Sequence, residues 1–253
     1  MQEIIDTLEA QHSELRSVIK TASEHDWHRP TPCIGWDVGD VLLHMAQTDE
    51  LAIASAQGKL DTYANGFLSE STGRVVSVDE AAAQQVTAER AIGGSAIAQR
   101  WDSAATALVE MFLISEPSRR VTWVSGKLSI QTLAATRLSE CWIHTGDIAI
   151  ALSVDLAPTD RLRFIARLAW RTLPYAFAQV GLTMSGPVEL HLTAPSGEVW
   201  DYVPDDAPVT TIIGTAEEFC AVAARRTDGS HTSIVGTGPD VDNVLRLVRA
   251  YAQ

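Results

Sequence analysis

Glu140 and His144 stand four residues apart in Arg137-Leu-Ser-Glu140-Cys-Trp-Ile-His144-Thr-Gly-Asp147. On a helix this spacing stacks the two side chains on one face, one turn apart, with Asp147 three residues further along the same face. A carboxylate and an imidazole so placed can hold a divalent cation when a third ligand comes from another segment. His44, in Asp37-Val-Gly-Asp-Val-Leu-Leu-His44, is the candidate. Two histidines and one carboxylate suit Zn2+ with an open fourth position, and the same donors accept Fe2+ or Ni2+. At that position a carbonyl would be polarised, a water turned into hydroxide, or a thiol ionised. The residues also allow a plainer reading. Arg137, Glu140, His144 and Asp147 could form a solvated helix face whose ion pairs each contribute only about 0.3 kcal/mol.

The elements that must position these groups are legible around them. Asp37 has the chemistry of an N-cap, and Asp40, three residues on, completes a capping-box-like pair near the positive helix end. The helix that follows runs to about Gln57, with Val38, Leu42 and Met45 as its apolar stripe and His44 on its flank. Asp49 lies within that stripe. A carboxylate there must be paired, neutral or exposed by a break in the core. It is also about one turn beyond His44, which makes it a candidate general base. The Glu140 helix spans roughly Ser129–Ser153.

The rest of the chain supplies a frame. Apolar periodicity predicts a helix over 3–22. Prolines and a glycine predict a loop over 25–36, and weak periodicity predicts a long loop over 58–77. An alanine-rich helical region covers 78–115, with a break at Gly93-Gly94. Residues 121–127 read as a short extended link, and 159–180 as one helix. After Gly181 the period changes to two. Strands are expected at 188–193 and 198–203, joined by the turn residues Pro195-Ser-Gly197. A third strand is expected at 209–213, then a helix over 216–226 capped by Thr215, an extended 233–235 and a helix over 241–252. The fold class is therefore α+β. It comprises an N-terminal four-helix bundle, 1–182, and a smaller C-terminal α+β domain, 183–253.

Composition narrows the function. The 253 residues are 46% hydrophobic and 20% charged, with net charge −13. That charge argues against nucleic acid or an anionic membrane as partner. No apolar run is long enough to span a bilayer, and the chain opens directly on an amphipathic helix. Cys33, Cys141 and Cys220 form no C-x-x-C pair. The expectation is a cytoplasmic protein, monomer or homodimer, whose partner is a small-molecule substrate. Cys33 reads as a packed loop residue, Cys141 as pointing away from the Glu140 face, and His12 as a surface or hydrogen-bonded residue. Asp147 is a candidate to orient a ligating histidine.

Two of these stretches carry a family resemblance. Pro30-Thr-Pro-Cys33-Ile-Gly-Trp36-Asp-Val-Gly-Asp-Val-Leu-Leu-His44 resembles the "TPCxGWxVxDVxxH" motif of the DinB-like, mycothiol-dependent maleylpyruvate isomerase superfamily. Glu140-Cys-Trp-Ile-His144-Thr-Gly-Asp147-Ile is similar to its "ExWxHxxDI" helix. Residues 161–171 and 192–200 look like an actinobacterial subgroup of metal-binding proteins with no settled activity. The resemblance implies a DinB-like bundle in which His44, Glu140 and His144 bind zinc, with mycothiol as a thiol cofactor. It also implies an arginine from the C-terminal domain at the substrate, for which Arg225 or Arg226 is the match. Three functions are then in view. One is a zinc-dependent isomerase or S-transferase using a low-molecular-weight thiol on an electrophilic metabolite. Another is a thiol-independent metal-dependent lyase, cyclase or hydrolase. The third is a non-catalytic metal-bound carrier or sensor.

Overall fold

Asp37 starts the helix that carries His44. Its side chain accepts the Asp40 N–H at 2.8 Å, and the Asp40 carboxylate accepts the Asp37 N–H at 3.2 Å, so two otherwise orphaned donors are satisfied reciprocally. Asp40 also pairs with Arg90, which stands at the break in the helical region 78–114. At the other end of this helix, Arg119 Nη1 donates to the Ala56 carbonyl at 2.7 Å, placing a cation at the negative end of the dipole. Both ends are thus tied to later parts of the chain.

The computed structural model describes residues 1–60, 77–124 and 126–251. The described chain divides into two units, Met1–Leu156 and Ala157–Tyr251. In the first, α1 (Gln2–Ile19), α2 (Val38–Ala56), α4 (Gly94–Ile114) and α5 (Ile130–Leu152) are the four long helices of a bundle, and the short α3 (Val78–Glu89) lies on α2. α2 packs on α4 and α5, and α1 packs on α5 and α4. The expected loop at 58–77 falls almost wholly on 61–76, outside the described residues. The link at 121–127 is more than an extended segment. It is an antiparallel hairpin of β1 (Arg120–Trp123) and β2 (Gly126–Ser129). Ser55 Oγ donates to the Thr122 carbonyl, joining this hairpin to α2.

α5 is the central element. Leu133, Ala134, Leu138 and Ile148 are fully buried, and Ser129 caps the helix through the Thr132 N–H at 3.1 Å. It ends at Ser153, which adopts the left-handed conformation (φ 58°) that terminates many helices. The break between α3 and α4 falls where the glycines predict it, as a 3-10 turn over Arg90–Ile92 followed by Gly93 at φ 87°.

The second unit holds a four-stranded mixed sheet of order β4-β3-β5-β6, from β3 (Val188–Thr193), β4 (Val199–Tyr202), β5 (Thr210–Thr215) and β6 (Val235–Thr237). β3 pairs antiparallel with β4 and parallel with β5, and β5 pairs antiparallel with β6. Val188, Leu190, Leu192, Trp200, Tyr202 and Ile212 point to its buried face. The helices of this unit are α6 (Leu162–Arg171), α7 (Leu173–Gln179), α8 (Ala216–Ala223) and α9 (Val241–Leu247).

The division of the chain at 156/157, and not at 182/183, has a physical cause. α6 packs on α8, Trp170 Nε1 donates to the Val188 carbonyl at 2.7 Å, and Tyr202 OH donates to the Arg163 carbonyl at 2.8 Å. Residues 157–182 therefore belong with the sheet. The single helix expected over 159–180 is broken at Thr172, just before Pro174, whose ring and missing N–H oppose continuation. No helix among the described residues is long and apolar enough to cross a membrane.

Gly94 opens α4 directly against the buried Trp27, the anchor of the loop that precedes α2. A Cβ built on Gly94 would meet the Trp27 ring at 2.1 Å. Gly94→Ala is expected to lower stability by about 2 kcal/mol through overpacking, read as a lower midpoint in urea unfolding with an unchanged slope.

Candidate metal centre

The site begins with a buried charge pair. Arg137 on α5 donates from Nε to Asp49 Oδ1 on α2 at 2.9 Å, and the two side chains are 2% and 3% exposed. Arg137 Nη2 also donates to Thr48 Oγ1 at 2.8 Å, and the Thr48 hydroxyl in turn donates to the His44 carbonyl at 2.9 Å. α5 is thereby linked to the backbone of His44 itself. One and two turns further along α5 come Glu140 and His144, opposite His44.

The three groups converge. Their ligand atoms all lie within 4.8 Å of one another. His144 Nε2 is 3.4 Å from Glu140 Oε2, and His44 Nε2 is 3.9 Å from the same oxygen. Ligand atoms around one tetrahedral zinc-sized ion stand about 3.3 Å apart, so the observed separations fit such an ion with small rotations. The donors, two imidazoles and a carboxylate, are also those such an ion prefers. The histidine rings meet edge-on at 5.3 Å, and the Trp36 ring lies 5.0 Å from His44.

Burial and mutual pairing shift all three groups. Burial pushes His44 below its usual pKa, so it presents a neutral imidazole. Burial works against ionisation of Glu140, but His144 and His44 beside it hold its carboxyl well below the usual range. His144 is buried as well, yet its hydrogen bonds to Asp147 and Glu140 and its contact with Cys33 hold its pKa well above the ordinary value. Its Nδ1 is 3.0 Å from Asp147 Oδ2, the contact that leaves Nε2 facing Glu140.

The solvated-face reading of α5 is overturned by burial. Arg137 and Asp147 are 2% and 1% exposed and His144 is 8% exposed. The polar stripe points inward, and Ile150 is among the exposed residues of the helix. Arg137 was readable as a partner only from the other side, because Asp49 on an apolar stripe requires one. The structure also corrects the role given to Asp49. It is not among the ligand atoms that converge with His44, and its carboxylate faces Arg137 inside the core. It is a charge partner buried in the core, which leaves it poorly placed for the base role that spacing suggests.

Cys33 is drawn in, contrary to its reading as loop packing. Its thiol donates to Asp147 Oδ2 at 3.2 Å and lies 3.8 Å from His144 Nδ1. Nothing in its sequence spacing signals this contact. Cys141 is fully buried away from the ligands, as expected, and burial pushes its thiol pKa up. His12 is not at the surface. It packs edge-on against Trp101 in the core, and burial pushes its pKa down to about 3.

Arg225 belongs to the second unit, just beyond α8. It holds φ 58°, uncommon for a residue with a Cβ. Its Nε and Nη2 are buried without a hydrogen-bond partner among the described residues, and burial together with nearby Arg249 lowers its pKa. Arg226 is exposed and donates to the Ala224 carbonyl.

A bundle that aims two histidines and a glutamate from facing helices at one point carries a candidate metal site. The chain belongs to the mycothiol maleylpyruvate isomerase N-terminal domain family, whose model matches residues 8–149. It is 29% identical over 246 residues to uncharacterized proteins of two Mycobacterium tuberculosis strains, CDC 1551 / Oshkosh and ATCC 25618 / H37Rv, covering 97% of this chain and 93% of each relative. Among solved structures, the mycothiol-dependent maleylpyruvate isomerase matches with a TM-score of 0.62 at 15% identity, over 93% of this chain and 92% of that one. A mutant of that isomerase matches with a TM-score of 0.61. At this identity the likeness establishes the fold.

Burial raises the Asp49 carboxyl from 3.8 to about 6 despite the pull of Arg137. Between those values the folded chain binds more protons than the unfolded one. Its stability therefore falls as pH rises through that window, by roughly 3 kcal/mol from this group. Urea unfolding from pH 4 to pH 7 should show this fall in the wild type and a flatter profile in Asp49→Asn. Parallel profiles would show that Asp49 does not titrate in this window.

Proposed function

We propose that this protein is a zinc-dependent isomerase or S-transferase that brings a low-molecular-weight thiol of the mycothiol kind to a small electrophilic metabolite. The observation that carries the reading is the convergence of His44, Glu140 and His144 from two helices. Family membership and the shared fold support it. A zinc ion held by these three groups would favour the thiolate of a bound thiol near neutral pH. The chain's own residues do the rest of the positioning. Glu140 would supply negative charge to the ion, and His44 is neutral because burial disfavours its protonated form. Asp147 accepts at Nδ1 of His144 and keeps Nε2 turned toward Glu140.

Arg225 is the proposed anion-holding residue of the second unit. Its buried, unpartnered guanidinium nitrogens support this, since such donors are costly unless an acceptor meets them. Calorimetric titration with a small dicarboxylate as probe should give binding that weakens about tenfold in Arg225→Met, as for loss of a charge-assisted hydrogen bond. Equal affinity in the two proteins would remove Arg225 from this role.

His44→Ala should fail to retain zinc by elemental analysis while the wild type holds one ion per chain. Full stoichiometry in the purified variant would mean that the ligands are wrongly assigned. Thiol use is tested separately on the cobalt-substituted protein. Adding a small thiol should introduce sulfur-to-cobalt charge-transfer absorption. An unchanged spectrum at saturating thiol would favour the thiol-independent lyase, cyclase or hydrolase that the same ligands could serve.

A further inference from the structure

The turn before α2 touches both histidines. It is closed by hydrogen bonds from Thr31 N to the Trp36 carbonyl (3.1 Å), Trp36 N to the Cys33 carbonyl (2.9 Å) and Cys33 N to Thr31 Oγ1 (3.2 Å), and a bridge between Pro30 and Asp37 joins its ends. Gly35, at φ 83°, supplies the left-handed residue that the turn needs. Such closure fixes where the side chains leave the backbone. Trp36 goes to the His44 ring, and Cys33 goes to Asp147 and His144.

We propose that Cys33 is a positioning residue for His144, acting through Asp147; its effect on metal rests on the reading that His144 is a ligand. Asp147 and His144 are three residues apart on one helix, so their contact is local to one turn. The Cys33 thiol adds a point of restraint on the carboxylate from a different segment. It donates to the same oxygen, Asp147 Oδ2, that accepts from His144 Nδ1, at 3.2 Å and 3.0 Å respectively. Asp147 is 1% exposed, so a lost donor is not readily replaced by solvent. With the carboxylate fixed, the imidazole plane is fixed, and Nε2 stays on the Glu140 side. In this arrangement the sulfur acts as a hydrogen-bond donor to Asp147, although Cys33, His144 and Asp147 also stand close enough together to hold an ion themselves.

Two substitutions separate these roles. Cys33→Ser keeps a donor but loses bulk, and Cys33→Val keeps bulk but loses the donor. Zinc affinity, measured by competition with a chromophoric chelator, should weaken about tenfold in Cys33→Val and stay within about twofold of wild type in Cys33→Ser, as expected for a group that orients a ligand. The reverse order would show that Cys33 only packs, and sulfur-to-cobalt absorption in the wild type without added thiol would show that it is a ligand. Either result overturns the proposal. A second readout needs no metal. The downfield Nδ1–H proton resonance of His144 in metal-free protein should persist in Cys33→Ser and be lost in Cys33→Val. If it is unchanged in Cys33→Val, the proposal falls whatever the zinc result. If the wild type binds no zinc but the resonance behaves as stated, the metal reading falls and the positioning role stands.

Discussion

The Arg137–Asp49 pair is the constraint on which the first unit depends. Two charges withdrawn from water this far are costly singly and tolerable together, so α2 and α5 must meet at the depth and rotation where the guanidinium reaches the carboxylate. That requirement sets the relative placement of His44, five residues before Asp49, and of Glu140 and His144, three and seven residues after Arg137. Apolar packing alone would tolerate a shift of one helix along the other at modest cost. A buried ion pair with a side bond to Thr48 does not. The convergence of His44, Glu140 and His144 is in this sense a consequence of core electrostatics.

The sequence was most informative where local chemistry decides the outcome. The capping box at Asp37–Asp40, the break at Gly93, the Pro195–Gly197 turn and the Thr215 cap each depend on a few adjacent residues, and each stands where its side chains put it. The convergence of His44, Glu140 and His144 could be read because helical periodicity converts spacing into direction, and the family motifs then chose between two directions for the same stripe. The residues misread were those whose partners are distant in the chain. Arg137 looked like a surface residue because a helical wheel shows its neighbours on α5 but not the carboxylate opposite. The domain boundary was misplaced for the same reason. Residues 157–182 are helical like the bundle, and only their contacts with Val188 and Tyr202 show where they belong.

Cys33 illustrates a different limit. Its contact with Asp147 depends on a closed turn whose hydrogen bonds involve main-chain atoms and one threonine hydroxyl, and a side-chain pattern contains little of that information. The same turn brings Trp36 against His44. Histidines carried by separate helices are thus touched by neighbouring residues of one short segment, so a mutation in the loop and a mutation on α5 should not be treated as independent there.

The separation of Arg137 and Asp49 by 88 residues bears on how the protein is made. Their meeting requires a large loop to close, which is slow compared with the formation of any one helix. On the ribosome α2 is complete long before α5 emerges, so His44 spends that interval without Glu140 and His144 beside it. On the proposed reading, an ion held by these three groups would bind after the bundle has assembled around its own charge pair. Metal capture would then be a late step in maturation, unlike small zinc modules, in which the ion drives chain collapse.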